Sequence, residues 1–216
     1  MAERKPTRED LLEQWHPKTE LGRMVKRGDI TSIEEIYKKN LSILEHEIVD
    51  YLIPNLQEEV LGRPKSVQRA TGSGRKMSFF AIVAVGDKNG HIGFGTGKAL
   101  EVRPSIERAV KNAKKNIMHV RRGCGSWECA CGTSHSLPFK VQAKFGSAKI
   151  TLRPAPKGTG VVAGKTAKKV LELAGFTDLW SRSEGSTDTK MNLAKATMKA
   201  LNETRKMKLK TEVGIL

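Results

Sequence analysis

Between Thr71 and Arg122 a glycine-rich turn, an apolar hairpin and a lysine-rich helix follow one another without a break, and few folds accept that order. Met77 to Val85 (MSFFAIVAV) is rich in β-formers, Asn89-Gly90 offers the positive φ angles of a tight turn, and His91 to Gly95 returns as a second strand. A helix is predicted next. Pro104 suits its first turn, and Ile106, Ala109, Val110, Ala113 and Ile117 recur at the spacing of one buried face. Arg108, Lys111, Lys114 and Lys115 fall mostly on the opposite face. A lysine-rich face can be merely solvated. Here the whole chain carries a formal charge of +16 and a sequence pI near 9.9, which points to a polyanion, because each cation set on a phosphate releases condensed counterions.

The rival polyanion is a membrane surface. No apolar run approaches the roughly 20 residues needed to span a bilayer, and the start MAERKPTRED lacks the apolar core of a signal peptide. A cytoplasmic protein without membrane attachment is expected. Its 216 residues can hold one large or two small domains, and 38% hydrophobic with 5% aromatic content makes for aliphatic cores. Charge is uneven along them. Glu34 to Glu59 holds seven acidic residues against Lys38 and Lys39, so this segment should pack against protein rather than phosphate. Ser32 with Glu35 makes a capping box for a helix through Ile36, and Glu47 to Leu52 is helical in character until Pro54. The first thirty residues lack periodicity and read as an extended arm that orders on a partner.

A second unit is predicted from strands at Leu137 to Lys144 and Ala148 to Arg153, turning at Gly146. The glycine loop Lys157 to Lys165 then leads into a helix burying Val170, Leu171 and Ala174 and stopping at Gly175. A short strand at Leu179 to Ser183 and a helix from about Asn192 to Lys206 complete it, followed by the basic tail KMKLK.

Two strings resemble one family. GRKMSFFAIVAVGDKNGHIGFGTGKALEVRPSIERAVKNAKKNI is similar to the first domain, and KFGSAKITLRPAPKGTGVVAGKTAKKVLELAGFTDLWSRSEGST to the second domain, of the universal small-ribosomal-subunit protein S-five family, called S-two in eukaryotes. Together they span about Val67 to Asn202. The resemblance implies an α+β chain of two domains, an N-terminal double-stranded-RNA-binding-like α-β-β-β-α domain and a C-terminal small α/β domain. The expected division is an arm and helix over 1–46, the first domain over 47–120, a Cys-rich insert over 121–136, the second domain over 137–206 and a basic tail over 207–216. The insert and the arm look archaeal.

The resemblance also implies a structural, non-enzymatic role in the small ribosomal subunit, with ribosomal RNA as ligand and ribosomal protein S-four as neighbour. Contributions to decoding accuracy and to the messenger-RNA entrance belong to the same implication. In the family the loop matching Thr71-Gly72-Ser73-Gly74-Arg75-Lys76 reaches ribosomal RNA; bacterial members tend to have Lys-Gly-Gly-Arg-Arg there, so Gly72 and Ser73 depart from that pattern. Glycines admit phosphate close to the backbone amides, while Arg75 and Lys76 add charge. The candidate RNA contacts are Arg69, Arg75, Lys76, Lys98, Arg108, Lys111, Lys115, Arg121, Arg122, Lys157 and Lys165. For Lys157 and Lys165 a purely structural turn is the competing reading. A free-standing double-stranded-RNA binder or RNA chaperone is the alternative function.

Cys124, Cys129, Cys131 and His135 match the ligands of a structural zinc site, although C-x4-C-x-C-x3-H contains an unusual C-x-C. The competing reading is a loop of reduced thiols that meets RNA through Arg121, Arg122 and Trp127. No other cofactor is expected. Gly164-Lys165-Thr166 ends like a phosphate-binding loop, but the required first glycine is Thr159, and Gly93-Phe94-Gly95-Thr96-Gly97 lacks the third glycine of a dinucleotide fingerprint at Leu100. The five histidines lack partners at any recognised catalytic spacing.

Overall fold

The computed structural model describes residues 15–129 and 131–207. It is a mixed α+β chain built on two sheets, in agreement with the expected class. Helices α1 (Glu20–Arg27), α2 (Ile33–Lys38) and α3 (Glu47–Leu52) come first. Thr19 caps α1 by accepting the Gly22 amide at 3.2 Å, and Gly28 ends it at φ 87°. Residues 15–30 are therefore not an extended arm. Leu21 and Val25 alone make too short a stripe to reveal a helix; they are buried only because Trp15, Ile30, Ile36, Ile43, Ile48 and Val49 close around them. Residues 1–14 lie outside the described part, as does the basic tail beyond Met207.

The first sheet comprises β1 (Gln57–Val60), β2 (Lys65–Thr71), β3 (Gly74–Gly86), β4 (His91–Ala99) and β5 (Ile117–His119), all antiparallel. The 13-residue β3 organises it. Its second half pairs with β1 and β4, whereas residues 74–78 pair with β2 alone. That half leaves the body of the sheet as a two-stranded ribbon. Helix α4 (Val102–Lys115) covers Ala81, Val83 and Val85 on one face. Alternation puts Ile82, Ala84, Ile92 and Phe94 on the other, against the second unit.

Glycines 93, 95 and 97 show why a dinucleotide-like string occurs without a nucleotide. Spaced by two, they line the helix-facing side of β4, and the backbone of α4 at Ser105, Ala109 and Ala113 lies where their β-carbons would be. Only glycine admits a helix this close. The turn before β4 differs in detail from expectation, since Lys88 (φ 57°) and Gly90 (φ 99°), not Asn89, take left-handed backbone. Asp87 supports it by accepting the Asn89 and His91 amides at 2.7 and 3.0 Å. Ile117 is buried as predicted, but it has left the helix for β5 and joins the α1–α3 core.

The second sheet has the order β6 (Val141–Phe145), β7 (Ala148–Pro154), β9 (Leu179–Glu184), β8 (Val161–Val162), with β8 parallel to β9. Helices α5 (Lys165–Leu173) and α6 (Lys190–Glu203) pack on it, burying Val170, Leu171, Leu193, Ala194 and Leu201 with Ile150 and Leu152. A 3-10 turn, Thr204–Lys206, prolongs α6. The two units meet at the β3–β4 turn. Lys88 and Gly90 donate their amides to Leu173 O (2.9 Å) and Ala174 O (3.2 Å), capping α5 with the turn of the other sheet.

Candidate RNA interface and metal centre

The free part of the β2–β3 ribbon is exposed on both strands. The loop predicted over Thr71 to Lys76 is narrower than expected. Gly72 and Ser73 alone form the tip, closed by Thr71 Oγ1 donating to Gly74 O at 2.7 Å, while Arg75 and Lys76 already belong to β3. The register sets Arg75 opposite Ala70, and Arg69 opposite Lys76. Cross-strand partners share a face, so Arg69 and Lys76 form a like-charge pair, a combination that weakens an isolated ribbon. No Asp or Glu occurs between residues 60 and 86, and Arg69, Arg75 and Lys76 have no ion-pair partner among the described residues. The ribbon tip thus carries uncompensated positive charge among the described residues.

Arg108, Lys111 and Lys115 occupy the exposed side of α4, and Arg108 is steadied by donating to Lys98 O at 2.9 Å. Lys98 is exposed beside it. Lys114 departs from the sequence reading, which put it with them. Its ammonium lies 2.7 Å from Asp50 and 3.1 Å from Glu58, only 13% exposed, and joins α4 to α3 and β1. Burial pulls its pKa down, but the Asp50 and Glu58 carboxylates outweigh that and hold it above the ordinary lysine value. Acidic residues 50 and 58 thus serve protein packing, as the charge pattern implied.

Arg121 and Arg122 are half-buried and engaged internally. Arg121 donates to Met207 O at 2.5 Å. Arg122 donates to Asn89 Oδ1 at 2.6 Å and reaches Gly175 O at 3.4 Å, spanning the turn and the end of α5. Trp127, by contrast, is 92% exposed.

Cys124, Cys129, Cys131 and His135 converge. Their three sulfurs and one imidazole nitrogen all lie within 4.8 Å of one another, so both cysteines of the C-x-C reach the cluster. A tetrahedral zinc with sulfur bonds of about 2.3 Å spaces its donors by about 3.8 Å, and Cys129 Sγ stands 3.7 Å from His135 Nε2. Hydrogen bonds from the Thr133 hydroxyl and amide hold the Cys131 thiol at a pKa of about 6, favouring the thiolate that a metal requires. The donor set fits zinc.

Behind the cluster lies a residue that sequence reading missed. Asp178, 6% exposed, faces His135 Nδ1 through Oδ2 at 2.8 Å, leaving Nε2 for the sulfurs. Its Oδ1 accepts the amides of Gly158 and Gly160, each at 2.9 Å. Burial pushes the Asp178 carboxyl up, but hydrogen bonds from Gly160, Thr177, His135 and Gly158 bring it below the usual carboxylate range. Nothing in the local sequence marks it, because it stands 43 positions from His135. It also changes the meaning of the Lys157 loop. Two of its glycine amides are already occupied by Asp178, so what the loop can offer phosphate is the exposed side chains of Lys157 and Lys165.

Among the described residues no helix is long and apolar enough to cross a membrane. The family described as ribosomal protein S5, N-terminal domain, matches residues 56–121, and ribosomal protein S5, C-terminal domain, matches residues 143–213. The chain is 53% identical over 204 residues to the small ribosomal subunit protein uS5 of Aeropyrum pernix, covering 94% of this chain and 93% of that one. It is 54% identical over 209 residues to the uS5 of Methanocaldococcus jannaschii, covering 95% and 96%. The uS5 of Ignicoccus hospitalis is 54% identical over 194 residues, covering 90% and 92%.

Proposed function

Because this chain belongs to the ribosomal protein S5 family, and so is a non-enzymatic structural constituent of the small ribosomal subunit, we propose that it grips ribosomal RNA with the β2–β3 ribbon and the outer side of α4. The observation that carries this reading is the Arg69–Lys76 cross-strand pair on an exposed ribbon without acidic residues. Two cations held face to face at no structural benefit make sense where a phosphate backbone lies between or across them. Lys98, Arg108, Lys111 and Lys115 extend the same basic surface, while Lys157 and Lys165 make a second, smaller one. Arg121 and Arg122, engaged by Met207, Asn89 and Gly175, contribute field more than direct contact. Such contacts position a protein without reading base sequence, so recognition would rest on RNA shape and on neighbouring proteins.

The finer assignments follow the family resemblance. Residues 47–120 act as the RNA-gripping domain and 137–206 as the domain that docks on ribosomal protein S-four, the outer face of the second sheet offering partly exposed Trp180 beside Arg153. That contact contributes to decoding accuracy, and the same side of the subunit lines the messenger-RNA entrance. Cys124, Cys129, Cys131 and His135 hold one zinc ion, which ties residues 121–136 into a compact loop. The test is a charge reversal at Arg75 in a strain lacking the normal copy. Arg75→Glu should reduce small-subunit yield on sucrose gradients and raise misreading of a reporter. Normal yield together with normal accuracy would sink the RNA-gripping assignment of the ribbon.

A further inference from the structure

Asp178 is shared by two structures that are far apart in sequence, and this sharing gives the metal centre a function beyond bracing its own loop. One carboxylate oxygen meets His135 Nδ1 at 2.8 Å and the other accepts Gly158 and Gly160 at 2.9 Å each. The Lys157–Gly160 turn is shaped by hydrogen bonds, of which Asp178 accepts two. Gly158 and Gly160 take left-handed backbone (φ 92° and 74°), and a β-carbon on either would meet nothing within 4 Å. Besides Asp178, the turn is closed by Thr159 to Pro156 O (amide 3.3 Å, hydroxyl 2.8 Å) and by the Leu179 amide on Gly160 O at 3.1 Å.

On the reading that the cluster binds zinc, we infer that His135 and Asp178 form a relay by which the bound metal sets the shape of the Lys157–Gly160 turn, and with it the placement of Lys157 against RNA phosphate. A metal ion on Nε2 leaves the proton on Nδ1, where it is donated to Asp178. The carboxylate is then held in one orientation and presents its other oxygen to the two glycine amides. Without the metal the imidazole is anchored on the Asp178 side alone, and the ring is no longer fixed at Nε2. The relay loosens, and Asp178, left to the Thr177 hydroxyl on the same oxygen, holds the turn less firmly. His135 and Asp178 are positioning residues here, and the ligand whose binding they adjust is the RNA backbone.

The experiment uses the full chain, reduced and purified, with zinc added or removed by a strong chelator. Zinc per chain is counted by colorimetry, and amide hydrogen exchange is followed by nuclear magnetic resonance at Gly158 and Gly160, with Leu152 on β7 as internal reference. We expect one zinc per chain and loss of protection at both glycines on chelation, with Leu152 unchanged. In Asp178→Asn zinc affinity should fall roughly 10- to 100-fold, which an Asp178 that merely braced the turn would not cause. If that variant does not fold, the zinc titration of the unsubstituted chain decides alone. Zinc binding with unchanged glycine exchange overturns the relay and leaves the metal site standing. No zinc binding overturns the metal reading, and the relay with it.

Discussion

Gly95 on β4 lies so close to Ala113 on α4 that a β-carbon at Gly95 would stand 2.8 Å from the Ala113 Cα and overlap backbone atoms of the same helix. Such contact brings the helix axis nearer the sheet than any side chain allows, and it repeats at Gly93 and Gly97. The clash is with backbone, so neither rotamer change nor a smaller partner relieves it.

Gly95→Ala should therefore destabilise the chain by about 1–3 kcal/mol, the usual range for overpacking. Ala113→Gly added to it should restore nothing, because the atoms in the way remain. Urea unfolding of the two variants checks this, and recovery in the double variant would mean that side-chain volume, not backbone approach, sets the spacing.

Lys114 and Lys111 are neighbours on α4 with different duties. Lys114 is 13% exposed between Asp50 and Glu58, and removing it leaves those carboxylates facing each other. Lys114→Met should cost about 1–3 kcal/mol, less than a fully buried pair because Asp50 and Glu58 are partly solvated. Lys111→Met, on the exposed side, should change stability by less than about 0.5 kcal/mol. It should instead weaken RNA association. Thermal melts and salt-dependent RNA binding on both variants separate the roles.

That difference marks the limit of what was legible in the sequence. Period two announced β3, β4, β6, β7 and β9, and the 3.6-residue period announced α4, while the cysteine and histidine spacing pointed to four side chains that the fold does bring together. The strands β1, β2 and β8, short or wholly exposed, carry no such signature. The periodicity of α4 alone could not tell Lys114 from Lys111, since the acids that claim Lys114 lie 64 and 56 positions earlier, on other elements. Asp178 was invisible for the same reason, as its partners His135 and Gly158 are joined to it only by the fold. The helix Glu20–Arg27 escaped because its burial depends on Trp15 and Ile30 beyond its own ends. Local pattern carries information about one face of one element. Contacts made between elements need the fold first.

Arg122 and Arg75 test whether a basic residue in this chain serves RNA or structure. Arg122 bridges Asn89 and Gly175, so Arg122→Ala should lower stability by about 1–2 kcal/mol. Arg75→Ala should leave stability within about 0.5 kcal/mol. It should reduce the slope of RNA affinity against salt by about 1. Equal stability losses in the two variants would show that the ribbon is braced by its charges and not presented by them.

Glu45 fastens the start of the described chain. One oxygen accepts the amides of Lys18 (2.8 Å) and Thr19 (2.5 Å), and the other accepts the Trp15 indole at 3.0 Å. Burial raises the Glu45 pKa, but the hydrogen bonds from Thr19, Lys18 and Trp15 outweigh it and hold the carboxyl below its ordinary value. A carboxyl depressed in the folded state contributes stability that is complete above its unfolded pKa, about 4.3, and is lost as pH falls through the lower folded value. Acidification through that lower folded value, well into the range below about pH 4.3, should thus release residues 15–19 from Glu45. The Trp15 indole proton should then shift and exchange faster with solvent. Glu45→Gln presents an amide where two acceptors are needed, so its indole signal should already resemble the acid form at neutral pH and should no longer respond to acid. An indole signal in the unsubstituted chain that is indifferent to acidification would mean that Trp15 is held by the packing around Leu21 and Val25 and not by Glu45.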